Sequence, residues 1–551
     1  MACIAYRLFG GITVIGMQGV DTFEYWKYAD EILRGQINFI VDRLSFYVLN
    51  VLAMKALGLN DFAMRAFIAA AAVMNIGIVY CLSYRVLANA AIALAVASIY
   101  AFNPTVLFYS STELPHVYGA TFVLLAAVFA LFAVDLKMTL RTRYVSAGLT
   151  GFLIAGAAFS HEDLIFVAVA FALIIGLMSP REGLFLSRST VQAVLLVETS
   201  VAVGFVLGLA WPMLALGVGP MKVVHDFFAV QSSMDQNTAV RTGNSFLRMT
   251  VPRIMENIAA DLLEPRLASL TAITMVSVPL IYALRRLEQF RSVVLLQAVV
   301  VVFLFLFVVV GRVFLEGNYR RIFIPIVGLV VVFTVCGSYA LVQLLCRTFL
   351  PRPWPAIFAT LLVGAASAFV IAGYKPAAYQ QPPLSIHRAI YNALRADVAP
   401  DRRLLVPTCF SYGMVKSWVG LGSNVYFGSN VVSLAQSSPE RVQNFDRFVA
   451  RYSVRYVLVL KQYELPIMPI EDVKLLFAVF YGVDLPKNIE ETIKVAPQNI
   501  FPNETRVMWS GEACQFETEV LRRILIERDS RLIMSLPIAD IYELPERRAN
   551  T

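Results

Sequence analysis

Charged residues are few in this 551-residue chain: Asp, Glu, Lys and Arg make up 15% of it, against 58% hydrophobic. A set of ordinary soluble domains would carry about a quarter, so the shortage excludes them. With a mean hydropathy of +0.68, it marks a polytopic membrane protein. Histidine and cysteine are also sparse, at four and six, and none falls at metal-site spacing. Walker loops, dinucleotide fingerprints and hydrolase elbows are missing, and no internal repeat is visible. The soluble part has no Lys/Arg-rich run with interleaved aromatics, so the net charge of +8 does not point to nucleic acid. It reads as membrane orientation.

The charge that exists is uneven. The first 374 residues hold 25 Lys/Arg and 19 Asp/Glu, and the last 177 hold 21 and 19. The chain therefore divides into a membrane domain, 1–374, and a water-facing domain, 375–551. A spanning helix needs about 20 mostly apolar residues, fewer where protein shields it. Eleven spans are expected, near 3–19, 63–83, 87–102, 117–135, 145–159, 164–179, 191–217, 268–284, 292–311, 322–345 and 354–373. The first has one basic residue, Arg7, and no convincing cleavage site, so it is expected to remain as a helix.

Alternate loops differ in charge. One set holds 11 basic residues, among them Arg85, Arg141, Arg143, Arg291 and Arg347, against three acidic ones. That set is expected to face the cytoplasm, which puts the tail on the other side. Large outer loops are expected at 20–62 and 217–267. In the first, Tyr25 to Leu33 and Leu44 to Leu57 read as amphipathic helices suited to lie at the membrane interface. In the tail, strand-like runs at Leu404 to Pro407, Tyr456 to Leu460 and Ile538 to Leu544 alternate with helical ones at 439–452, 469–480 and 517–526. That alternation reads as an α/β domain. Cys409 and Cys514 share the tail, either as a disulfide or as two free thiols.

Four short blocks carry the candidate chemistry. Asp21 and Glu24 follow the first span, ahead of Tyr25, Tyr28, Ala29 and Gly35. Asn103-Pro104 opens a stretch that ends in Glu113, just before a long span. Ser160-His161-Glu162 follows the short fifth span. Tyr319-Arg320-Arg321 begins the tenth and leads to Pro325. An acid at a helix start is also an ordinary cap or a partner of the helix dipole. Two arginines there are not, because the dipole disfavours cations at an N-terminus, and an anionic partner would explain them. Glu198, inside the seventh span, reads as packed between helices or near the interface. His116 and His225 read as solvated or capping residues.

In order and side, these blocks resemble those of the GT-C superfamily of membrane glycosyltransferases. The resemblance is to the branch of protein O-mannosyltransferases, lipid A aminoarabinose transferases and galacturonosyltransferase-like enzymes. It departs in two places: His161 stands where many relatives have Lys, and no His-Pro-Pro-Leu pattern occurs between Asp42 and Leu49. The resemblance implies an α-helical polytopic enzyme with an extracytoplasmic α/β domain. It implies a polyprenyl- or dolichyl-phosphate sugar as donor, transfer on the non-cytoplasmic side, usually with inversion, and Asp21 as general base. The expected acceptor is a protein, lipid or polysaccharide, and the expected place is a bacterial inner membrane.

The chemistry agrees. A lipid-phosphate sugar brings its own leaving group, so the enzyme must deprotonate the acceptor, align it and stabilise the departing phosphate. Glu24 is placed to orient the base or the acceptor, and Tyr319, Arg320 and Arg321 to hold phosphate. Glu113, His161 and Glu162 complete the expected substrate-binding set. A divalent cation near these carboxylates is a possible addition. The alternatives are a transporter or lipid-linked-sugar flippase, for which paired Gly/Pro-broken helices are lacking, and a noncatalytic envelope scaffold.

Overall fold

The structure is a computed structural model. Its described residues are 28–29, 32–33, 35, 43–58, 61–110, 115–161, 164–178, 188–226, 265–285, 287–309 and 319–374, and in the tail 403–406, 425–427, 445–446, 449–450, 454–460, 468–469, 494–495, 506–508, 512–535 and 539–545. The chain forms two compact units, one of Met1–Gly11, Asn38–Leu52 and Arg65–Ala377, the other of Ile12–Ile37, Ala53–Met64 and Ala378–Thr551.

The described part up to residue 374 is helical. Its elements are α1 (Leu44–Leu57), α2 (Asp61–Leu87), α3 (Ala90–Phe102), α4 (Pro104–Ser110), α5 (His116–Val134), α6 (Leu140–Ala158), α7 (Ile165–Met178), α8 (Arg188–Leu216), α9 (Pro265–Arg285), α10 (Glu288–Val309), α11 (Tyr319–Cys346) and α12 (Trp354–Gly373). By length and composition seven of them can cross a membrane: α2, α5 and α8 to α12. The chain is thus a multi-pass membrane protein. Ten of the eleven expected spans fall on helices, and the first lies outside the described residues. Three of the ten do not meet the spanning criterion. Helices α3 and α7 are short, and α6 opens with Arg141 and Arg143.

Burial sorts the helices. Helix α11 is buried over most of its length, whereas only a small share of α8, α9 and α12 is buried. What these three expose is apolar, for example Leu207, Val276 and Leu361, as a face against lipid tails requires. Glu198 of α8 lies over Gly176, two residues before the end of α7. Helix α1 is buried over its first turns. It spans the predicted residues, and Ser45, Phe46, Tyr47, Val48, Asn50 and Ala53 are all buried. Its last turns, in contrast, expose Leu52, Lys55, Ala56 and Leu57.

Basic residues tie one end of the bundle together. Arg85 at the end of α2 pairs with Asp135 after α5, and Arg143 Nε donates to the Ala133 carbonyl at 2.9 Å. Arg291 of α10 donates to the carbonyl of Met178, the last residue of α7, at 2.7 Å. These are residues of the loops expected to be basic. Asn89 caps α3 through the amides of Ala91 and Ile92 and reaches Tyr339 and Thr360 from the same end.

The tail is α/β. Strands β1 (Arg403–Val406), β2 (Val425–Phe427), β3 (Val454–Leu460), β7 (Arg531–Ser535) and β8 (Ala539–Glu543) form one sheet, ordered β2-β1-β3-β8-β7. Strand β1 runs parallel to β2 and β3, and β8 antiparallel to β3 and β7. Helix α13 (Glu512–Glu527) buries Leu521, Ile524 and Leu525 with Leu405, Val457 and Val459 of the sheet. Those three share one helix face by their spacing. Strands β4 (Met468–Pro469), β5 (Lys494–Val495) and β6 (Arg506–Met508) form a small antiparallel sheet. The predicted helix over 469–480 begins instead in β4, and its remainder lies outside the described residues, as does Cys409.

Candidate functional site

At the end of the bundle opposite Arg85 and Arg143, segments far apart in sequence meet. Helix α6 stops at Ala158. The Phe159 amide donates to Ala155 and Ala157, and Ser160 Oγ turns back onto the Gly156 carbonyl at 2.7 Å. The His161 amide still reaches Ala157, and the Leu164 amide bonds the His161 carbonyl at 3.0 Å, starting the turn into α7. His161 is thereby held between two helices, 5% exposed.

Helix α5 starts beside it. Pro115 precedes the first turn and supplies no side-chain cap, and His116 opens the helix at 1% exposure. The His116 and His161 rings lie 4.5 Å apart between centroids, tilted by 39°. Gly119, one turn on, permits the approach: a Cβ there would stand 2.5 Å from Leu164 Cδ1 and 3.5 Å from Pro325 Cγ. His116, the Ser160-His161 pair and Pro325 of α11 therefore share one location.

Helix α1 closes it from the first loop. The Ser45 amide donates to the Phe159 carbonyl at 3.0 Å, and the Phe46 ring packs 5.8 Å from that of Tyr118. Asn103 is buried and caps α4 through the Val106 amide at 3.1 Å, which gives the Asn103-Pro104 pair a structural role. Beneath lies an aromatic layer. Phe323 of α11 meets Phe307 at 5.5 Å and Phe303 at 6.1 Å, and Phe166 of α7 meets Phe307 at 6.4 Å.

Several polar groups here are buried with no hydrogen-bond partner: Ser45 Oγ, both amide atoms of Asn50, Asn75 Oδ1 and the Tyr118 hydroxyl. Asn75 spends its nitrogen on the Val117 carbonyl at 3.2 Å. Buried polar groups are satisfied in the great majority of cases, so a concentration of exceptions marks a place where polar matter is handled.

Of the residues singled out from sequence, Asp21, Glu24, Glu113 and Glu162 lie outside the described residues. Tyr319, Arg320 and Arg321 form the first turn of α11, and their side chains are outside the description. His161 is placed as stated. His116, read from sequence as solvated or capping, is neither. It is buried against a second histidine, and the available signal was its position at the head of an apolar span, three residues after Glu113. Among the described residues no three His, Cys, Asp or Glu side chains gather as metal ligands.

No family model matches the chain, and no curated protein matches it in sequence. Solved structures do. ArnT from Cupriavidus metallidurans bound to undecaprenyl phosphate aligns over 93% of this chain and 97% of its own, at 12% identity and a TM-score of 0.54. The archaeal oligosaccharyltransferase AglB from Archaeoglobus fulgidus, in complex with an inhibitory peptide and a dolichol-phosphate, aligns over 96% and 78%, at 12% identity and a TM-score of 0.49. The likeness to ArnT shows a shared fold.

Proposed function

We propose, starting from a chain that belongs by fold to the GT-C superfamily, that this protein is a glycosyltransferase. It moves a monosaccharide from a polyprenyl or dolichyl phosphate to an acceptor on the non-cytoplasmic side of the membrane. The observation that carries the reading is the meeting of His116 with His161 at 4.5 Å, under α1 and beside Pro325. Glu113, Glu162, Arg320 and Arg321 are near neighbours in sequence of residues at this meeting point, which supports the reading. The structure of ArnT holds undecaprenyl phosphate, which agrees with a lipid phosphate as donor here.

In the proposed reaction Asp21 accepts the proton of the acceptor hydroxyl or amine as its heteroatom attacks the anomeric carbon. The bond from that carbon to the phosphate oxygen breaks with its electron pair on oxygen, and the sugar configuration inverts. Glu24 orients Asp21 or the acceptor. Arg320 and Arg321 hold the departing phosphate, Arg being suited to bidentate oxyanion contacts. Tyr319, Glu113, His161 and Glu162 bind substrate around it. The neutral groups of Ser45, Asn50 and Tyr118 match sugar hydroxyls, which both donate and accept. The membrane domain, 1–374, carries this site, and the 375–551 domain lies outside the cytoplasm, in the reading of a bacterial inner-membrane enzyme.

The test is transfer from a polyprenyl-phosphate sugar by purified protein. Asp21→Asn is expected to abolish turnover while leaving lipid-phosphate binding intact. Arg320→Ala with Arg321→Ala is expected to weaken binding at least tenfold, since each charge-assisted hydrogen bond contributes about 1.5–3 kcal/mol. Full activity of the Asp21 variant would remove it as base. Lipid movement without sugar transfer would favour the flippase.

A further inference from the structure

We propose that the seam between α1 and α5 recognises the transferred sugar, through Asn50 and Tyr118, as an uncharged one: a neutral hexose or pentose, and not a uronic acid or an amino sugar. The inference rests on the glycosyltransferase reading and names the substrate class of that same site.

Unmet polar atoms stand on both sides of the seam. On α1, Asn50 is fully buried, yet neither its amide nitrogen nor its oxygen has a hydrogen-bond partner, and Ser45 Oγ has none. On α5 the buried Tyr118 hydroxyl has none either. Phe46 lies one turn before Asn50 on the same helix face, and its ring packs 5.8 Å from that of Tyr118. The two sides are thus brought together without satisfying each other. Helix α2 adds Asn75, whose nitrogen donates to the Val117 carbonyl, next to Tyr118, while its oxygen stays unmet.

A structural asparagine behaves differently. Asn89 accepts from the amides of Ala91 and Ile92 and donates to Tyr339 and Thr360, so both ends of its side chain are used. Leaving a buried amide unpaired costs the desolvation of each group, which packing alone gives no reason to incur at Asn50. A sugar hydroxyl both donates and accepts. One hydroxyl can meet the Asn50 oxygen and another its nitrogen or the Tyr118 hydroxyl.

Charge decides the class of sugar. No residue is charged from Leu44 to Met54 on α1, from Val117 to Val134 on α5, or from Ala66 to Tyr84 on α2. The charges that flank α1 lie at its ends, Arg43 before it and the exposed Lys55 in its last turn. A carboxylate or ammonium on the sugar would lose its water between these helices and gain no opposite charge from them. An unpaired buried charge costs far more than a buried hydroxyl that finds a partner.

The experiment measures kcat/KM of the purified full-length protein with three polyprenyl-phosphate donors: a neutral hexose, the corresponding uronic acid, and the corresponding amino sugar with a free amine. The neutral donor is expected to exceed each of the others by at least about a hundredfold. Tyr118→Phe, which keeps the ring, is expected to lower kcat/KM for the neutral donor about three- to tenfold. In a series of monodeoxy hexose donors the same variant should cost less than about twofold with one member, the one lacking the hydroxyl that Tyr118 meets. Asn50→Leu, close to it in volume, should behave alike with a different member of the series. If Asn50→Leu fails to fold, Tyr118→Phe across the deoxy series carries the comparison. A wild type that accepts the uronic acid or the amino sugar as well as the neutral hexose overturns the proposal, and so does a loss that is the same for every donor. A wild type that transfers sugar from no lipid phosphate removes the glycosyltransferase reading and this inference together, whereas one active on a charged donor removes the inference alone.

Discussion

Gly204 of α8 packs on Gly148 of α6 so closely that a Cβ at position 204 would lie 1.8 Å from the Gly148 carbonyl oxygen. The contact continues along the pair. A Cβ at Gly151 would meet the Val201 carbonyl oxygen at 2.0 Å, and one at Gly208 the Phe152 carbonyl oxygen at 2.4 Å. Between helices in lipid, attraction comes from packing more than from exclusion of water, so small residues that bring backbones together hold the pair. This accounts for α6, whose Arg-bearing start and modest apolarity ill suit it to face lipid alone.

Gly204→Leu is therefore expected to drive α6 and α8 apart. Overpacking of a close contact costs about 1–3 kcal/mol, and the obstructing atom is backbone, which cannot turn aside. Thermal unfolding of the detergent-purified protein should show a lower midpoint than wild type. Ser98→Leu, on an exposed part of α3, serves as the control and should leave it in place.

In the proposed orientation the basic end of the bundle is cytoplasmic and the tail lies on the other side. With Arg85, Arg143 and Arg291 cytoplasmic, the last helix, α12, ends on the opposite side. Thr551→Cys is expected to react with a membrane-impermeant thiol reagent applied to the outside of intact cells, above the labelling of wild type. Arg347→Cys should react only after permeabilisation. The reverse pattern would invert the orientation.

The tail has its own pH dependence. Glu543 lies between Arg531 and Arg455, with Oε2 at 2.5 Å from one and Oε1 at 3.0 Å from the other. Burial alone would raise its carboxyl, but the hydrogen bond from Arg531, the charge and hydrogen bond of Arg455 and the charge of Arg531 outweigh it and hold it below the ordinary range. A depressed carboxyl stabilises the fold above its unfolded value, and that contribution is lost as pH falls through the folded one. Glu543→Gln should accordingly speed amide exchange in β3 and β8 of the full-length protein at pH 7. The gap from wild type should close as the pH drops below about 4. A gap independent of pH would assign the effect to shape rather than charge.

Much of this molecule could be read from its sequence. Apolar length located ten helices, because lipid imposes it on anything that crosses, and the bounds of α1 came directly from its pattern. The α/β tail was legible in β3, β8 and α13, whose apolar spacing suits a sheet with a helix packed on it. The order of the four motif blocks pointed to the fold that the likeness to ArnT supports.

Only the tertiary structure decided the rest. The pattern of α1 suits an interface and a bundle interior equally, because both offer an apolar surroundings beside a few polar groups. Packing buried Phe46, Tyr47 and Asn50 at its start and left Leu52 and Lys55 exposed near its end. His116 looked like a residue of the water-facing loop, and 45 residues separate it from His161. Nothing local in the chain records that the end of α6 folds back onto the start of α5. The sequence determined which segments form long apolar helices, since that depends on each segment's own apolarity. Which helix ends meet, and so which histidine faces which, depended on close contacts such as Gly119 with Leu164 that exist only once the bundle is packed.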